Sequence, residues 1–477
     1  MEIKKKKILF CYFSPREVDY TPTDIGYVVA ILKKAAFLEY DFEILQLNYE
    51  IGNDALDKEL KREIIKRDVD LIQYYSPDAV FLFADNVLWS KVFALGRATL
   101  VAKEVRRKMG NIFLGIQSYK INNDQAIEVL DDKIFDCVIN GNPEDIFLDI
   151  TNILDQKYVE GVRYQKEVSF SKSDTLILSE KKCSIENLDN IPSPYLEHIF
   201  DNYIQERQIE RKGKFRAFII SSRGCGFGCY YCFRSVKFEK VRYFSAQRFY
   251  DEMEYLYNNF GVCNYFVLDD AFLYSKQRLR EFSQEFEQRV NKNKGLGKIQ
   301  MFIMARPETI DQEVVEILAK LKVKFIQIGL QTVNPALQHY MRRTIDVVYF
   351  KKIQTWLQKY DIKLYLDIVV GLPGDSVEWL KETIRFAILL EPYSMQVKQF
   401  YMNPNTLFEV KRDEYEIEID TMHKDFDVPY VVSSKGIDEE YFIKSNEFIM
   451  QRINENPKIW WKYISKKQRF LSAGFYN

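Results

Sequence analysis

Ser222-Arg223-Gly224-Cys225-Gly226-Phe227-Gly228-Cys229-Tyr230-Tyr231-Cys232 sets three cysteines at offsets of four and three on one glycine-rich stretch. Residues 215–221 just before it read as an apolar strand, so the cysteines lie on the loop leaving a strand's carboxyl end. Cysteine thiolates hold iron–sulfur clusters. Three on one short loop can each take an iron of a cubane, leaving a fourth iron open. A closed zinc site would want a fourth Cys or His, yet the nearest histidine is His198 and the others are His339 and His423. Structural zinc and inert buried thiols are the competing readings.

Outward from this loop the pattern is regular. Strands are expected at 215–221, 265–268, 299–304, 324–328, 363–370 and 395–401, with amphipathic helices between them, three opened by caps at Ser245, Ser275 and Asp311. Six βα repeats predict a partial (β/α)6 TIM barrel with its active site at the carboxyl ends of the strands. Upstream, apolar runs at 7–12, 42–47, 79–84, 112–116 and 135–139 alternate with helical stretches, the first at 22–38 after Thr21 with Pro22 in its first turn. They predict an α/β fold with an open, Rossmann-like sheet of about five parallel strands, whose ligands sit outside the carboxyl ends, near Ser14, Asp85, Ser118, Gly141 and Asn142. The expected division is a first domain at 1–154, a linker at 155–214 containing Ile191-Pro192-Ser193-Pro194, the barrel at 215–402, and a small, mostly helical capping region at 403–477. That last region carries a helix-like stretch at 440–456 and an aromatic, basic end around Trp460 and Trp461.

Composition removes other classes. Lys plus Arg total 68 against 69 Asp plus Glu, for a net charge of -1, so there is no basic field to hold a nucleic acid. The longest apolar runs, such as 79–84 and 386–390, fall far below the ~18 residues that would span a membrane. Lys4 to Lys7 ahead of residues 8–13 mimics a signal peptide, but the run is short and no small-residue cleavage site follows, so it reads as a first strand. Seven cysteines, three of them in one loop, fit reduced thiols and a cytoplasmic setting.

The cysteine spacing CxxxCxφC, with Tyr231 as the aromatic φ, resembles the hallmark of the radical SAM superfamily. The resemblance implies a 4Fe-4S cluster on Cys225, Cys229 and Cys232. It also implies S-adenosylmethionine (SAM) bound through its amino and carboxylate groups, and one-electron cleavage to a 5′-deoxyadenosyl radical fed by an external donor such as flavodoxin or ferredoxin. By the same resemblance Asp269 or Asp270 would accept hydrogen bonds from the SAM ammonium, and Arg306 would pair with its carboxylate. Gln331, in Gly329-Leu330-Gln331-Thr332, would meet the ribose. The exposed backbone of Val370 and Gly371, in a GLPG turn, would meet adenine.

An open sheet ahead of such a barrel resembles the cobalamin-binding class of that superfamily. Three stretches share in the likeness: Asp24-Ile25-Gly26-Tyr27, Gly161-Val162-Arg163-Tyr164, and Asn187-Leu188-Asp189-Asn190-Ile191-Pro192-Ser193-Pro194. This implies a cobalamin in the Ser14, Asp85, Ser118, Gly141 and Asn142 crevice and C-methylation of an unactivated carbon in a peptide or small natural product. With no histidine before His198, a corrinoid would bind without a lower histidine ligand from this domain. The alternative is a corrinoid-independent rearrangement, cyclisation, bond cleavage or epimerisation, with the first domain serving substrate recognition. No cysteine follows Cys263, so auxiliary clusters and a late cysteine hydrogen donor are not expected.

Overall fold

From Ile8 to Phe13 every side chain of strand β1 (Lys6–Pro15) is buried. That is the requirement on a central strand of a parallel sheet covered on both faces. A computed structural model describes residues 5–15, 21–34, 40–49, 58–84, 94–118, 132–139, 178–179, 185–232, 240–270, 272–403, 406–420 and 429–464. The chain divides into two units, Met1–Asp201 and Asn202–Thr421 with Pro429–Asn477. Among the described residues no helix is long and apolar enough to cross a membrane.

In the first unit β1 pairs in parallel with β2 (Tyr40–Tyr49) on one side and β3 (Ala79–Phe83) on the other. The sheet continues through β4 (Phe113–Gln117), β5 (Cys137–Ile139) and β6 (Leu178–Ser179) in the order β2-β1-β3-β4-β5-β6. Five of these strands stand where the apolar runs predicted them. The sixth, β6, lies in the stretch read as a linker, and its two residues are too few to show a period. Helices α1 (Thr23–Lys34), α2 (Lys58–Tyr75) and α3 (Ala94–Met109) are the crossovers described between strands. Chain order reverses direction between β1 and β3, a switch point that opens a crevice at the carboxyl edge. Below that edge Arg97, almost wholly buried, bonds Asp68 through Nε at 2.9 Å, reaches the Asn48 carbonyl at 3.2 Å and lies 5.1 Å over the Phe13 ring.

The second unit begins with β7 (Arg216–Ile219) and a short antiparallel pair, β8 (Ser222–Arg223) with β9 (Arg242–Tyr243). Then follow α4 (Ala246–Phe260), β10 (Asn264–Val267), α5 (Lys276–Lys292), β11 (Gln300–Ala305), α6 (Gln312–Lys320), β12 (Val323–Gln331), α7 (Val347–Lys359), β13 (Lys363–Val370), α8 (Val377–Leu389) and β14 (Ser394–Gln399). The caps of α4, α5 and α6 are Ser245, Ser275 and Asp311, accepting from the backbone N–H groups of Arg248, Arg278 and Val314. After β14 come a small antiparallel pair, β15 (Glu418–Ile419) with β16 (Val431–Ser433), helix α9 (Glu439–Glu455) and β17 (Trp460–Ile464). The parallel sheet reads β17-β14-β13-β12-β11-β10-β7. Its seventh strand lies inside the expected capping region. Trp461 and Tyr463 are buried while Trp460 and Lys462 are half-buried, the period-two signature of a strand.

Gly26, at the second turn of α1, has no room for a side chain. A Cβ there would stand 2.5 Å from Phe200 Cε2 and 2.7 Å from Pro194 Cβ, so α1 and the 193–200 segment meet backbone to ring. Gly26→Ala is expected to destabilise the first unit by about 1–3 kcal/mol through overpacking, read as a lower urea midpoint at unchanged slope.

Candidate active site

The cysteine loop leaves the barrel at the carboxyl end of β7. Gly224 holds φ +89°, which a side chain would strain, and a Cβ on Gly226 would stand 2.6 Å from the Tyr274 hydroxyl. The Cys232 N–H donates to the Cys229 carbonyl at 3.1 Å. Cys229 is buried, while Cys225 and Cys232 are half-buried. Burial pushes the Cys225 thiol up to about 11, and the Asp270 carboxylate adds to the rise. Such a thiol gives up its proton when a metal ion takes its place. Among the described residues no three His, Cys, Asp or Glu side chains close on a single ion; the thiolates of a cubane each take a different iron and need no common centre.

The loop is fixed from beneath by Asp269. Its Oδ1 accepts from the Ser221 N–H at 2.6 Å and the Ser222 N–H at 3.1 Å, and its Oδ2 accepts from both serine hydroxyls, Ser222's at 2.7 Å. Four donors fill the lone-pair capacity of a carboxylate. Asp269, fully buried, therefore anchors the loop and has no place left for a SAM ammonium, which corrects half of the expectation for the aspartate pair. Asp270 is half-buried, and its charge is felt at Cys225. Arg278 donates to the Ser221 carbonyl at 2.6 Å and lies 4.2 Å over the Phe282 ring and 4.7 Å over Tyr243.

Arg306 is turned toward the cysteines. Its Nη1 stands 3.2 Å from Cys229 Sγ and its guanidinium 4.2 Å over the Phe227 ring, while Nη2 bonds Glu308. Gln331 ends β12 at φ +61° after a break in the β12–β13 register, and its buried Oε1 has no partner among the described residues. The Tyr231 hydroxyl accepts from Arg343 Nη1 at 2.8 Å, and Arg343 Nη2 donates to the Gly329 carbonyl at 2.7 Å. Arg343 thus ties the cysteine loop to the Gln331 strand end. No motif marks it, and the sequence reading missed it.

The backbone of Val370 and Gly371, expected to be exposed, is covered. Both are buried, because α9 lies across the turn. The Gly371 N–H donates to the Tyr441 hydroxyl at 3.2 Å, Tyr441 donates to Asp375 at 2.9 Å, and a Cβ on Gly371 would stand 2.7 Å from Phe442. In the first unit Ser14 and Ser118 are fully buried at the carboxyl edge. Asp85, Gly141 and Asn142, like the 161–164 stretch, lie outside the described residues. The buried Thr21 Oγ1 and Asn48 Oδ1 at the same edge have no partner among the described residues.

Residues 219–387 match the family model of the radical SAM superfamily. That stretch of the chain is a radical SAM domain. The chain is 21% identical over 78% of its length to an uncharacterized methyltransferase of Pyrococcus horikoshii, and 23% identical over 83% to the anaerobic magnesium-protoporphyrin IX monomethyl ester cyclase of Cereibacter sphaeroides. It spans 73% and 61% of those two proteins. Among solved structures, the radical SAM methyltransferase TsrM of Kitasatospora setae aligns over 86% of this chain and 76% of its own at a TM-score of 0.62 and 14% identity. The cobalamin-dependent radical enzyme OxsB aligns over 95% and 67% at 0.65 and 13%. An open sheet followed by a radical SAM barrel is thus an architecture shared with TsrM and OxsB, and the radical SAM domain implies a 4Fe-4S cluster and SAM.

Two outcomes are expected. Asp269→Asn replaces two acceptor sites with donors facing donors, at a cost of about 1–3 kcal/mol; the reconstituted variant should bleach several times faster than wild type under a chelator. Burial raises the Asp375 carboxyl from its ordinary 3.8 to about 6. The folded state then holds this proton more tightly than the unfolded chain, so the stability it contributes is present below pH 3.8 and is lost as pH rises through about 6. Asp375→Asn should flatten that fall, measured as denaturant midpoints between pH 4 and 7.

Proposed function

We propose that the chain is a cobalamin-dependent radical SAM C-methyltransferase, acting on an unactivated carbon of a peptide or small natural product with a one-electron donor protein as partner. One observation carries the reading: both units, the switch-point sheet as well as the barrel, align with TsrM and OxsB over most of this chain. Solved structures of both proteins hold bound cobalamin.

Cys225, Cys229 and Cys232 would hold the cluster, Asp270 would face the SAM ammonium, and the unpartnered Gln331 Oε1 would accept from the ribose. Bound there, the cluster and SAM would supply radical chemistry, and a corrinoid held by the first unit would supply a transferable methyl group. The chain's own share is positional. Asp269 and Arg278 fix the loop, and the Arg306 guanidinium beside Cys229 stabilises negative charge on the sulfur. Arg343 sets the spacing between the loop and the ribose end. The fit of a corrinoid rests on the buried Thr21 Oγ1 and Asn48 Oδ1, which have no partner among the described residues and which a ligand's amide side chains would satisfy.

A second reading, radical chemistry without methyl transfer, draws on the likeness to the Cereibacter sphaeroides cyclase. Anaerobic reconstitution separates them. Wild type should carry about four irons, retain about one hydroxocobalamin after desalting, and yield 5′-deoxyadenosine together with S-adenosylhomocysteine. A Cys225→Ala/Cys229→Ala/Cys232→Ala variant should lose iron and SAM cleavage. Iron and cleavage retained by that variant would defeat the cluster assignment; 5′-deoxyadenosine with neither corrinoid nor S-adenosylhomocysteine would favour the second reading.

A further inference from the structure

The concave side of the second sheet has two levels. On β13, Leu364, Leu366, Ile368 and Val370 are buried on the helix side, whereas Tyr365, Asp367 and Val369 are half open on the other. The lower level is aromatic: Phe266 and Phe302 lie 4.5 Å apart, Phe302 and Tyr365 5.0 Å, and Phe325 and Tyr365 5.8 Å. One pleat closer to the carboxyl ends the surface turns polar. The Gln327 amide donates to Asp367 Oδ2 at 2.6 Å, and the Gln396 amide donates to Oδ1 at 3.2 Å.

Two neutral amides orient this carboxylate without neutralising it. Each oxygen keeps a second lone pair, and Asp367 makes no ion pair among the described residues. Lys462 and Lys398 share the face, beside Gln396 and Val369 in the register, and neither is ion-paired with it. A half-buried charge left in this way costs stability that an arriving cation would restore. Among the described residues no hydrogen bond or ion pair joins Asp367 to the cysteine loop, and the assignment of SAM to Gln331 and Asp270 leaves it unused.

We propose that Asp367, aimed by Gln327 and Gln396, is the substrate anchor of the barrel lumen, and that it binds a protonated amine whose aromatic or apolar body rests on Phe325 and Tyr365. The proposal rests on the radical SAM reading for the lumen's being the reaction chamber, and it adds the substrate's chemical class.

Calorimetry on the reconstituted, SAM-loaded protein tests it with phenethylamine and its anionic counterpart 3-phenylpropionate. Wild type should prefer the amine by about tenfold or more, and Asp367→Asn, which keeps the shape and drops the charge, should lose that preference. SAM affinity and substrate-free 5′-deoxyadenosine formation should stay within about twofold of wild type in the variant, as for an independent site. Equal binding of amine and acid by wild type, no binding of either, or an unchanged preference in the variant would overturn the proposal. Loss of SAM affinity in a variant that melts like wild type would also overturn it, by giving Asp367 to SAM. Amine preference in a wild type that cleaves no SAM would support the anchor while defeating the functional reading, so the two failures are distinct.

Discussion

A buried carboxylate whose two oxygens accept from both the backbone and the hydroxyls of adjacent serines leaves the chain at Ser221-Ser222 a single conformation. That constraint, at Asp269, governs everything the cysteine loop does. A loop rich in glycine has more backbone freedom to lose than any other, and an anchor that removes part of that freedom lowers the ordering cost of bringing three thiolates to one cluster. Arg278 completes the anchor from below. Its burial pulls its own pKa down, an effect the neighbouring Asp269 charge opposes, and the faces of Phe282 and Tyr243 supply attraction without demanding a second counter-ion.

The same anchor explains why the two adjacent aspartates differ so sharply. Successive residues at a strand end point to opposite sides, so one must turn under the loop and its neighbour away. Which does which depends on the register of β7 with β10, and a sequence does not print register. The strand positions, the three caps and the cysteine loop were legible because each leaves a local pattern: a period, a hydroxyl or carboxylate at a helix start, a fixed spacing. Arg343, Tyr441 and the Asp68–Arg97 pair were not legible, since each acts on a partner far along the chain and no local pattern records the meeting. Arg306 was read at the correct strand mouth, but its direction is set by the Phe227 ring and Cys229, more than 70 residues upstream.

The misreading of the GLPG turn has a related cause. Gly371 and Gly374 both adopt positive φ, as the turn requires, so its local geometry follows from sequence. Its exposure does not. Helix α9 begins some 65 residues later, at Glu439, and covers the turn with Tyr441 and Phe442. A ring at 2.7 Å from the absent Cβ means that Gly371 is needed twice, once for its φ and once for the close approach.

Helix α9 and strand β17 make the last stretch of the chain part of the barrel rather than an accessory to it. Without β17, β14 would be an exposed parallel edge with its N–H and C=O groups unpaired. With it, Gln396 sits in register between Asp367 and Lys462, one strand in from the edge, and its amide is held in the plane where it can donate to the carboxylate. A side chain on an edge strand would have one neighbouring strand to fix it; on β14 it has two. The orientation of the Asp367 oxygens therefore depends on Trp461 and Tyr463 burying themselves to hold β17, so residues with no chemistry of their own set the geometry of the polar level from almost a hundred positions away.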